Sequence, residues 1–375
     1  MANILHLIDQ AGPGGAQAVF LDLVNRLARQ RWTSVAAIPG PGWLADALRK
    51  RDIEPVVTPI KKGSFDVNYL VTIIKLVRQH RVKVIQAHLL TPAVYGSLAG
   101  ALCRVPVFST FHGHVDVSPR ERFRRIKFGI LNHGARRVVF VSRALQAFFV
   151  ANTTLAPERT TVIPNGIDPS LFHPGRDESL RRELGVTDQE ILIGAIGHLR
   201  PSKAYDVFLR AAAVLRQRSS KYRFVIVGLT DGVTEGAVYA EMVALRDALG
   251  LGDAVQFMGH REDIGRILRG LDVYVITSKE EGFSLSILQA LACGVPVVAT
   301  RCGGPEEILK HGESGLLVDV GAPDQIVAAV DRVLAEPETR LRLAEQGKLL
   351  VNSRFTLDRM VEAYEALYRE VVPSE

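Results

Sequence analysis

The sequence predicts a parallel α/β fold divided between two domains. Short apolar runs, typical of strands buried in a parallel sheet, alternate with amphipathic helical segments along most of the chain. The chain has 375 residues, which favours two domains over one, and its composition is that of an ordinary globular protein. Ligands of parallel sheets bind at the carboxyl ends of the strands, so residues at those ends are the first candidates for function.

Each part of the chain has its own set of predicted elements. In the first part, strands are predicted at residues 4–8, 34–39, 55–57, 84–88, 106–111 and 137–142. In the second part, they are predicted at residues 191–197, 224–228, 255–259, 273–276 and 295–299. Helices are predicted at residues 69–79, 93–102, 206–216, 323–334 and 356–368. Proline and glycine within residues 165–188 predict the linker there.

The cysteines and the chain start predict the cellular setting. Cys103, Cys293 and Cys302 lack metal-ligand spacing, and an odd number of cysteines gives no disulfide framework. We therefore expect a reducing, cytoplasmic environment. The first residues show no signal-peptide pattern, and no run of 18 apolar residues predicts a transmembrane helix.

Positive charge is concentrated in the first part of the chain. Residues 1–170 hold 22 Lys and Arg against 10 Asp and Glu, a net charge of +12. Residues 171–375 hold 24 against 30, a net charge of −6. This asymmetry predicts an anionic partner for the first domain.

A basic run within residues 120–127 allows two interpretations. Its basic members are Arg120, Arg122, Arg124, Arg125 and Lys127. A solvated helix face is the simpler interpretation, and peripheral contact with an anionic membrane or an anionic acceptor is the functional one. Nucleic acid is disfavoured, because no recognition module is visible and because Phe123 and Phe128 are expected in the core.

The loop between the last two predicted strands has the most specific chemistry. It leads into a helix for which Ser284 is the expected N-cap. Free N–H groups and the helix dipole favour an anion at that position, usually a phosphate. Glu281 and Gly282 stand just before the helix. A carboxylate beside a phosphate would be repelled, so Glu281 indicates a sugar hydroxyl as its partner.

Two features of the first domain stand at strand ends. A glycine-rich loop with Gly14 and Gly15 follows the first strand and is a candidate phosphate cradle. Gln17 occupies the place of the last glycine of a dinucleotide fingerprint, so a nicotinamide dehydrogenase is disfavoured. His88 and His112 stand at the ends of two other strands and are candidate site residues.

The segment after residue 277 resembles that of a known enzyme family. It is similar to the S-x-x-E-G-F-G-L-x-x-L-E-A-x-A-C-G-x-P-V-V pattern of retaining family 4 glycosyltransferases, which have the GT-B fold. The matching residues are Ser278, Glu281, Gly282, Phe283, Leu285, Leu288, Ala290, Ala292, Cys293, Gly294, Pro296, Val297 and Val298. Ser284 replaces a glycine of the pattern, and Gln289 replaces its second glutamate.

Shorter segments of the first domain resemble the same family. The loop at Gly14 and Gly15 is similar to the family's G-G-x-E loop, with Gln17 in the place of the glutamate. His112 matches the histidine of the T-x-H segment, which lies near the reacting sugar. Residues 162–168 are similar to V-I-P-N-G-I-D.

In the second domain, residues 197–204 resemble the family's G-R-L-x-x-x-K-G, whose Arg and Lys hold the donor diphosphate. The chain keeps Lys203 but has His198 for the arginine and Ala204 for the glycine. Arg200 is a candidate replacement for the missing guanidinium. The turn at Gly259, His260 and Arg261 corresponds to the one that contacts the base.

The resemblance implies a fold and a reaction. The fold has two Rossmann-like domains with parallel sheets facing a cleft. Residues 1–170 would bind the acceptor, residues 171–355 would bind the nucleotide sugar, and a final helix within residues 356–375 would cross back to the first domain. The reaction would transfer a sugar from a nucleoside-diphosphate sugar to a saccharide or lipid-linked acceptor, with retention. Without an Asp-x-Asp motif, we expect no metal requirement and no cofactor besides the donor.

The resemblance also assigns residues to roles. The catalytic candidates are His112, Glu281 and Lys203. The donor-binding candidates are Gly14, Gly15, His198, Arg200, Lys203, Gly259, His260, Arg261, Glu281, Gly282, Phe283, Ser284, Leu285 and Gln289. The candidates for the acceptor or membrane side are His88, Arg120, Arg122, Arg124, Arg125 and Lys127.

Alternatives from other classes stay open. A nucleotide-sugar epimerase uses the same two-domain plan, as does a phosphorylase, which is disfavoured because it needs a cofactor lysine and a longer chain. The departures at His198, Ala204 and Gln289 are also what a degenerate, non-catalytic nucleotide-sugar-binding protein would show. Release of the nucleotide from a donor, with and without an acceptor, separates these hypotheses.

Overall fold

The structure, a computed structural model, describes residues 2–28, 32–61, 64–117, 123–230 and 232–372. The chain divides into two compact units. The N-terminal unit comprises Met1–Asn165 and Leu357–Glu375, and the C-terminal unit comprises Gly166–Thr356. Each unit is built on a parallel sheet with helices packed against it.

The sheet of the N-terminal unit has the order β3-β2-β1-β4-β5-β6-β7 in the described chain. Its strands are β1 (Ala2–Leu7), β2 (Trp32–Ile38), β3 (Val56–Val57), β4 (Val82–His88), β5 (Val107–Phe111), β6 (Arg137–Phe140) and β7 (Thr160–Val162). The helices between them are α1 (Gly15–Ala28), α2 (Trp43–Arg49), α3 (Val67–Gln79), α4 (Leu90–Cys103), α5 (Arg124–Gly134) and α6 (Arg143–Asn152).

The sheet of the C-terminal unit has the order β10-β9-β8-β11-β12-β13. Its strands are β8 (Ile191–Ile196), β9 (Tyr222–Val227), β10 (Val255–Phe257), β11 (Val273–Ile276), β12 (Val297–Thr300) and β13 (Leu316–Val318). The helices are α7 (Glu178–Glu183), α8 (Tyr205–Arg218), α9 (Val233–Ala248), α10 (Ile264–Gly270), α11 (Leu285–Ala292), α12 (Gly304–Ile308), α13 (Pro323–Ala335) and α14 (Pro337–Arg354).

The central strands are buried on both faces, which explains their unbroken apolar runs. Every residue of β5 and of β11 is buried. In the parallel register, His88 at the end of β4 pairs with Thr110 near the end of β5. The residues that follow these strands therefore meet at one edge of the sheet, and the same holds for β11 and β12.

The last helix, α15 (Leu357–Arg369), completes the N-terminal unit. Trp32 donates a buried 2.7 Å hydrogen bond to Glu365. Tyr368 donates one of 2.9 Å to Gln86 of β4, inside the core. The C-terminal end of the chain is thus a structural part of the first sheet's packing.

The predicted α/β fold is confirmed, but the predicted linker is wrong over its second half. Within residues 165–188, α7 forms with Asp177 as its N-cap, accepting a 2.9 Å hydrogen bond from the Leu180 N–H. Arg181 of this helix is buried and pairs with Asp272 at 3.0 Å. These contacts anchor the segment in the C-terminal unit. Across the described ranges, no helix combines the length and apolar character needed to cross a membrane.

Candidate active site

The candidate site of the C-terminal unit forms around the loop between β11 and α11. The Glu281 N–H donates to the Cys302 carbonyl at 3.3 Å, and the Gly304 N–H donates to the Glu281 carbonyl at 3.0 Å. A Cβ on Gly304 would lie only 3.0 Å from the carbonyl oxygens of Glu281 and Gly282, so glycine permits this close approach. The backbone of Glu281 is therefore fixed by the loop that follows β12.

Glu281 and Lys203 form an ion pair at the centre of this site. Lys203 Nζ donates to Glu281 Oε1 at 2.6 Å, and Ser278 Oγ donates to the same oxygen at 2.7 Å. The side chain of Lys203 is 26% exposed and that of Glu281 is 12% exposed. The pair therefore lies in a partly desolvated position that a ligand can still reach. Ser278 matches the family pattern, and its hydrogen bond to Glu281 adds it to the candidate site.

The main chain positions Lys203 for this contact. Lys203 ends a 3₁₀ turn, Pro201–Lys203, and its carbonyl accepts a 2.8 Å hydrogen bond from Thr277 Oγ1. Ala204 follows with φ 48° and ψ 49°, the left-handed conformation that glycine adopts most easily. The alanine thus keeps the backbone geometry expected for the glycine of the family pattern, so this departure does not displace Lys203.

Three glycines bring the strand ends of the C-terminal unit close together. The Gly197 N–H donates to the Val227 carbonyl at 2.8 Å, and the Gly228 N–H donates to the Gly259 carbonyl at 2.9 Å. A Cβ on Gly228 would lie 1.8 Å from the Gly197 carbonyl oxygen, which is impossible without backbone movement. The loop that holds Lys203 therefore begins directly against the end of β9.

A second ion pair lies at the start of the same loop. Arg200 Nε donates to Glu235 Oε1 at 2.8 Å, and His198 Nδ1 lies 3.7 Å from the same oxygen. Burial alone would raise the pKa of Glu235, but the hydrogen bond and charge of Arg200 outweigh it and lower that pKa. Burial, with Arg200 nearby, lowers the pKa of His198. Sequence reasoning missed Glu235, because it lies on α9, a helix that was not predicted.

The start of α11 presents main-chain donors beside the ion pair. In the described chain, the N–H groups of Phe283, Ser284 and Leu285 donate no main-chain hydrogen bond to another element. Ser284 occupies the N-cap position, as predicted, and its hydroxyl bonds Ser286 Oγ at 3.0 Å without making a side-chain capping hydrogen bond. The Phe283 ring packs edge-on against Phe355, in the core. Gln289 is half-buried, in the second turn of α11.

Arg261 of the predicted base-contacting turn already forms ion pairs within the protein. His260 is exposed. Arg261 donates to both Asp263 and Glu183 at 2.7 Å. These bonds raise the pKa of Arg261, and Arg261 lowers the pKa of Asp263 to about 2. To contact the base of a bound nucleotide sugar, Arg261 would therefore have to release or share these carboxylates.

In the N-terminal unit, the glycine-rich loop is organised by Gln17. The side chain of Gln17 is buried, and its Nε2 donates to Gln10 Oε1 at 3.0 Å. A Cβ on Gly14 would lie 2.5 Å from Gln17 Oε1, so the missing side chain at Gly14 makes room for the carboxamide. Gly15 is the first residue of α1. The neutral amide therefore occupies the site of the family's glutamate without distorting the turn.

His88 and His112 come together at the edge of the first sheet. Their Nδ1 and Nε2 atoms, respectively, lie 2.9 Å apart. His88, predicted on the acceptor side, has 0% exposure and contacts His112 instead of an open surface. Burial lowers the pKa of His112 to about 3 and moves that of His88 well below its ordinary value. Both rings are therefore neutral near pH 7.

The basic run is described only in part. Arg120 and Arg122 lie outside the described residues. Arg124, Arg125 and Lys127 stand on the first turn of α5. Phe128 is buried, as predicted, but Phe123 is 69% exposed and Ile126 is 61% exposed. The prediction that Phe123 lies in the core is wrong, and the start of α5 presents exposed cationic and apolar side chains side by side.

The sequence has no Asp-x-Asp motif, and no metal requirement is expected from it. Within the described ranges, no group of three or more His, Cys, Asp or Glu side chains is arranged to hold a metal ion. His6 and His88 both pack edge-on against the ring of Phe20. Burial lowers the pKa of His6 to about 3.

Comparisons with known proteins cover most of the chain. Residues 13–171 match the family described as Glycosyltransferase Family 4, and residues 176–350 match Glycosyl transferases group 1. A D-inositol 3-phosphate glycosyltransferase of Thermobispora bispora is 30% identical, over 77% of this chain and 72% of its own. One of Stackebrandtia nassauensis is 36% identical, over 58% of this chain and 51% of its own. The chain spans about half the length of several such curated relatives.

Solved structures show the same fold. HepE of Anabaena, crystallised in complex with UDP-glucose, aligns with a TM-score of 0.88 at 24% identity, covering 98% of this chain and 99% of its own. Sucrose-phosphate synthase of Thermosynechococcus elongatus aligns with a TM-score of 0.82 at 19% identity, covering 99% of each chain. These alignments confirm the GT-B fold expected from the sequence. Together with the matches along the sequence, they show that the chain belongs to the group 1 glycosyl transferases of glycosyltransferase family 4.

Proposed function

We propose that the protein is a glycosyltransferase that transfers a sugar from a nucleoside-diphosphate sugar to an acceptor hydroxyl, with retention of the anomeric configuration. The C-terminal unit binds the donor, and the N-terminal unit binds the acceptor. The observation that supports this assignment is the Lys203–Glu281 ion pair at the start of α11. A cation and main-chain N–H donors suit the diphosphate, and a carboxylate suits the sugar hydroxyls. Together at one helix N-terminus, the three groups fit a sugar diphosphate better than any one of them alone.

The chemistry follows from where charge develops. Departure of the nucleoside diphosphate places negative charge on the leaving phosphate, and a cation with N–H donors stabilises that charge. Lys203 and the N–H groups at the start of α11 supply these donors. Glu281 orients Lys203 and accepts hydrogen bonds from sugar hydroxyls. Arg200, held by Glu235, adds a second cation in place of the arginine that His198 replaces.

The donor to test first is a uridine diphosphate sugar. HepE was crystallised with UDP-glucose, and it shares the fold of this chain. The curated relatives are D-inositol 3-phosphate glycosyltransferases, so cyclitols and their phosphates are the first acceptors to test. Saccharides and lipid-linked saccharides complete the panel.

The experiment measures nucleotide release and product stereochemistry. Purified protein is incubated with a panel of nucleotide sugars, with and without each acceptor, and free nucleoside diphosphate is quantified. Acceptor-dependent release is expected, and proton NMR of the product should show the anomeric configuration of the donor. An inverted product would overturn retention, and epimerised donor without transfer would identify the epimerase alternative.

A non-catalytic binding protein is the second candidate. It is favoured by one observation: the two cations of the 198–204 loop, Arg200 and Lys203, are each paired with a carboxylate. In such a protein, nucleotide sugars would raise the melting temperature without turnover. A ligand at 100 times its Kd stabilises by about 2.7 kcal/mol, so thermal shift detects binding in either case, and turnover then separates the two candidates.

We also propose that the start of α5 contacts an anionic surface, either a membrane or a lipid-linked acceptor. Arg124, Arg125 and the exposed Ile126 support this proposal, together with the exposed Phe123 that precedes them. Cationic and apolar side chains side by side suit a membrane interface.

A cytoplasmic location for the reaction accords with the free thiols of all three cysteines.

A further inference from the structure

Ser278 stands two residues after the end of β11, and its side chain is buried beside Glu281. It is 1% exposed, and its Oγ donates to Glu281 Oε1 at 2.7 Å. The Ser278 carbonyl accepts a buried 2.6 Å hydrogen bond from Thr300 Oγ1, at the end of β12. The next N–H, that of Lys279, donates to the Ser202 carbonyl at 2.7 Å. The main chain at Ser278 is therefore fixed from two sides.

Glu281 Oε1 has two hydrogen-bond donors, and they differ in conformational freedom. Lys203 Nζ lies 2.6 Å away, at the end of a flexible four-carbon side chain that is 26% exposed. An ammonium group has three N–H donors and can turn toward a bound phosphate. A single side-chain torsion places Ser278 Oγ, and in the described chain this hydroxyl donates to Glu281 alone. Ser278 is therefore the donor that keeps Glu281 in place when Lys203 moves.

The two donors share one oxygen of Glu281 and leave the other open. Within the described residues, Glu281 Oε2 has no hydrogen-bond partner, and it is not one of the fully buried polar atoms. A carboxylate that is held at one oxygen presents the lone pairs of the other in a fixed direction. One specific oxygen of Glu281 is thus held by the protein, and the other is accessible to a ligand.

We propose that Ser278 is a positioning residue of the donor site: it holds Glu281 by Oε1, so that Oε2 is presented to the sugar hydroxyls of the bound donor. Through Glu281, the same hydrogen bond also sets the resting position of Lys203. The role of Oε2 rests on the proposed glycosyltransferase function, whereas the hydrogen bond from Ser278 does not. Ser278 acts through Glu281 and makes no contact with the substrate.

The first test measures the hydrogen bond without any ligand. Urea unfolding is followed for the wild type, Ser278→Ala, Glu281→Ala and the double variant, which together form a double-mutant cycle. Ser278→Ala should lower the urea midpoint in the wild-type background and lower it little or not at all in the Glu281→Ala background, where the acceptor is gone. Equal losses in the two backgrounds would show that Ser278 does not hold Glu281.

The second test asks whether the hydrogen bond affects the sugar and the reaction. Ser278→Ala should weaken UDP-glucose binding and lower kcat/KM roughly 3- to 20-fold, because Glu281 is no longer aligned. Binding of UDP, which lacks the sugar, should stay within about twofold. Ser278→Thr keeps the hydroxyl and should restore most of the activity. Equal losses of affinity for UDP and UDP-glucose would overturn the positioning role.

The matched control is Ser314→Ala, in the same unit. Ser314 is also buried, and its Oγ accepts a 3.0 Å hydrogen bond from the Lys310 N–H. Its loss should affect stability but leave kcat/KM within about twofold. If Ser278→Ala does not fold, Ser278→Cys gives the same comparison, since a thiol fills the space but is a much weaker donor.

The kinetic form of the cycle decides whether Ser278 acts through Glu281. In the Glu281→Ala background, Ser278→Ala should not lower kcat/KM further, and multiplied losses would overturn the proposal. Normal kcat/KM in a folded Ser278→Ala protein would remove the positioning role and leave the glycosyltransferase function intact. If the wild type neither binds UDP-glucose nor turns over any nucleotide sugar, the proposed function fails, and the role of Oε2 fails with it. The urea cycle still decides whether Ser278 holds Glu281.

Discussion

Lys203 and Glu281 stand 78 positions apart in the sequence, and their side chains meet at 2.6 Å. Resemblance to a family pattern predicted both residues, but not their ion pair, which depends on a 3₁₀ turn and on hydrogen bonds between two loops. Glu235, which holds Arg200, was not predicted at all, because no motif surrounds it and its partner lies 35 positions away. Motifs thus predict the residues of the site, whereas the partners that orient them follow from the tertiary fold.

Replacing Lys203 with alanine should impair turnover more than folding. The variant loses a charge-assisted contact to the leaving diphosphate, and we expect a loss of about 1.5–3 kcal/mol in transition-state stabilisation, or roughly 10- to 150-fold in kcat/KM. Steady-state kinetics with a saturating acceptor measures the effect.

The matched control for Lys203→Ala is Lys310→Ala in the same unit. The side chain of Lys310 is 75% exposed. In the described part of the chain, it forms an ion pair with the nearby Glu313. Its loss should leave kcat/KM within about twofold, since exposed ion pairs contribute little. Near-normal turnover in a folded Lys203→Ala protein would remove Lys203 from the site.

Gln289 should bind the donor ribose in place of the family's glutamate. An amide can accept one hydrogen bond from a cis-diol and donate another, so it can replace the carboxylate with a weaker acceptor. Gln289→Leu should cost about 1–3 kcal/mol, or roughly 5- to 150-fold in donor affinity, and Gln289→Glu should bind as well or more tightly. Isothermal titration with UDP measures both variants, and unchanged affinity in Gln289→Leu would place the ribose elsewhere.

At the scale of elements, the approach of β8, β9 and β10 at their ends determines where the Lys203 loop begins. Gly228→Ala would place a Cβ 1.8 Å from the Gly197 carbonyl oxygen. Because that neighbour is main chain, the loop itself must move. We expect the free energy of unfolding to fall by about 1–3 kcal/mol. We also expect kcat to fall in the protein that remains folded, because Lys203 moves with its loop.

Urea denaturation and kinetics test the Gly228 prediction together. The matched control is Gly236→Ala in α9, where a Cβ would meet its nearest neighbour at an ordinary 3.6 Å. That change should be neutral or stabilise the unit by up to about 1 kcal/mol, since alanine favours helix over glycine. A Gly228→Ala protein with unchanged stability and activity would show that the strand ends tolerate separation.

Helices with regular apolar faces were predictable, and α14 shows why others were not. Its buried residues, Thr339, Leu343, Gly347 and Val351, follow a four-residue spacing, but two of them are not apolar. Leu341 and Leu349 of the same helix are more than half exposed. The apolar residues therefore do not mark the buried face. Gly347 is buried because its missing side chain lets Leu291 of α11 approach, a reason that only the packing reveals.

At the scale of the whole molecule, charge and topology divide the chain at nearly the same place. The net charge is +12 for residues 1–170 and −6 for residues 171–375, and the N-terminal unit's first segment ends at Asn165. The return of α15 to the N-terminal unit was expected only from family resemblance, because nothing local in residues 357–369 indicates which sheet they cover. Tyr364 and Tyr368 are fully buried against β4 and β5 in that unit.

The excess positive charge should bring the protein to anionic membranes through the start of α5. Arg124→Gln with Arg125→Gln removes two cations from a turn that also exposes Ile126. Each basic residue near an anionic surface contributes about 1 kcal/mol, so the double variant should bind vesicles containing phosphatidylglycerol roughly 30-fold more weakly. Flotation with anionic and neutral vesicles measures the effect, which should shrink as salt rises because screening shortens the range of the attraction. Arg340→Gln with Arg342→Gln removes the same charge from exposed positions on α14 and should leave flotation nearly unchanged. Equal losses in the two double variants would assign binding to net charge and not to α5, and equal flotation of wild type and the α5 variant would exclude the contact.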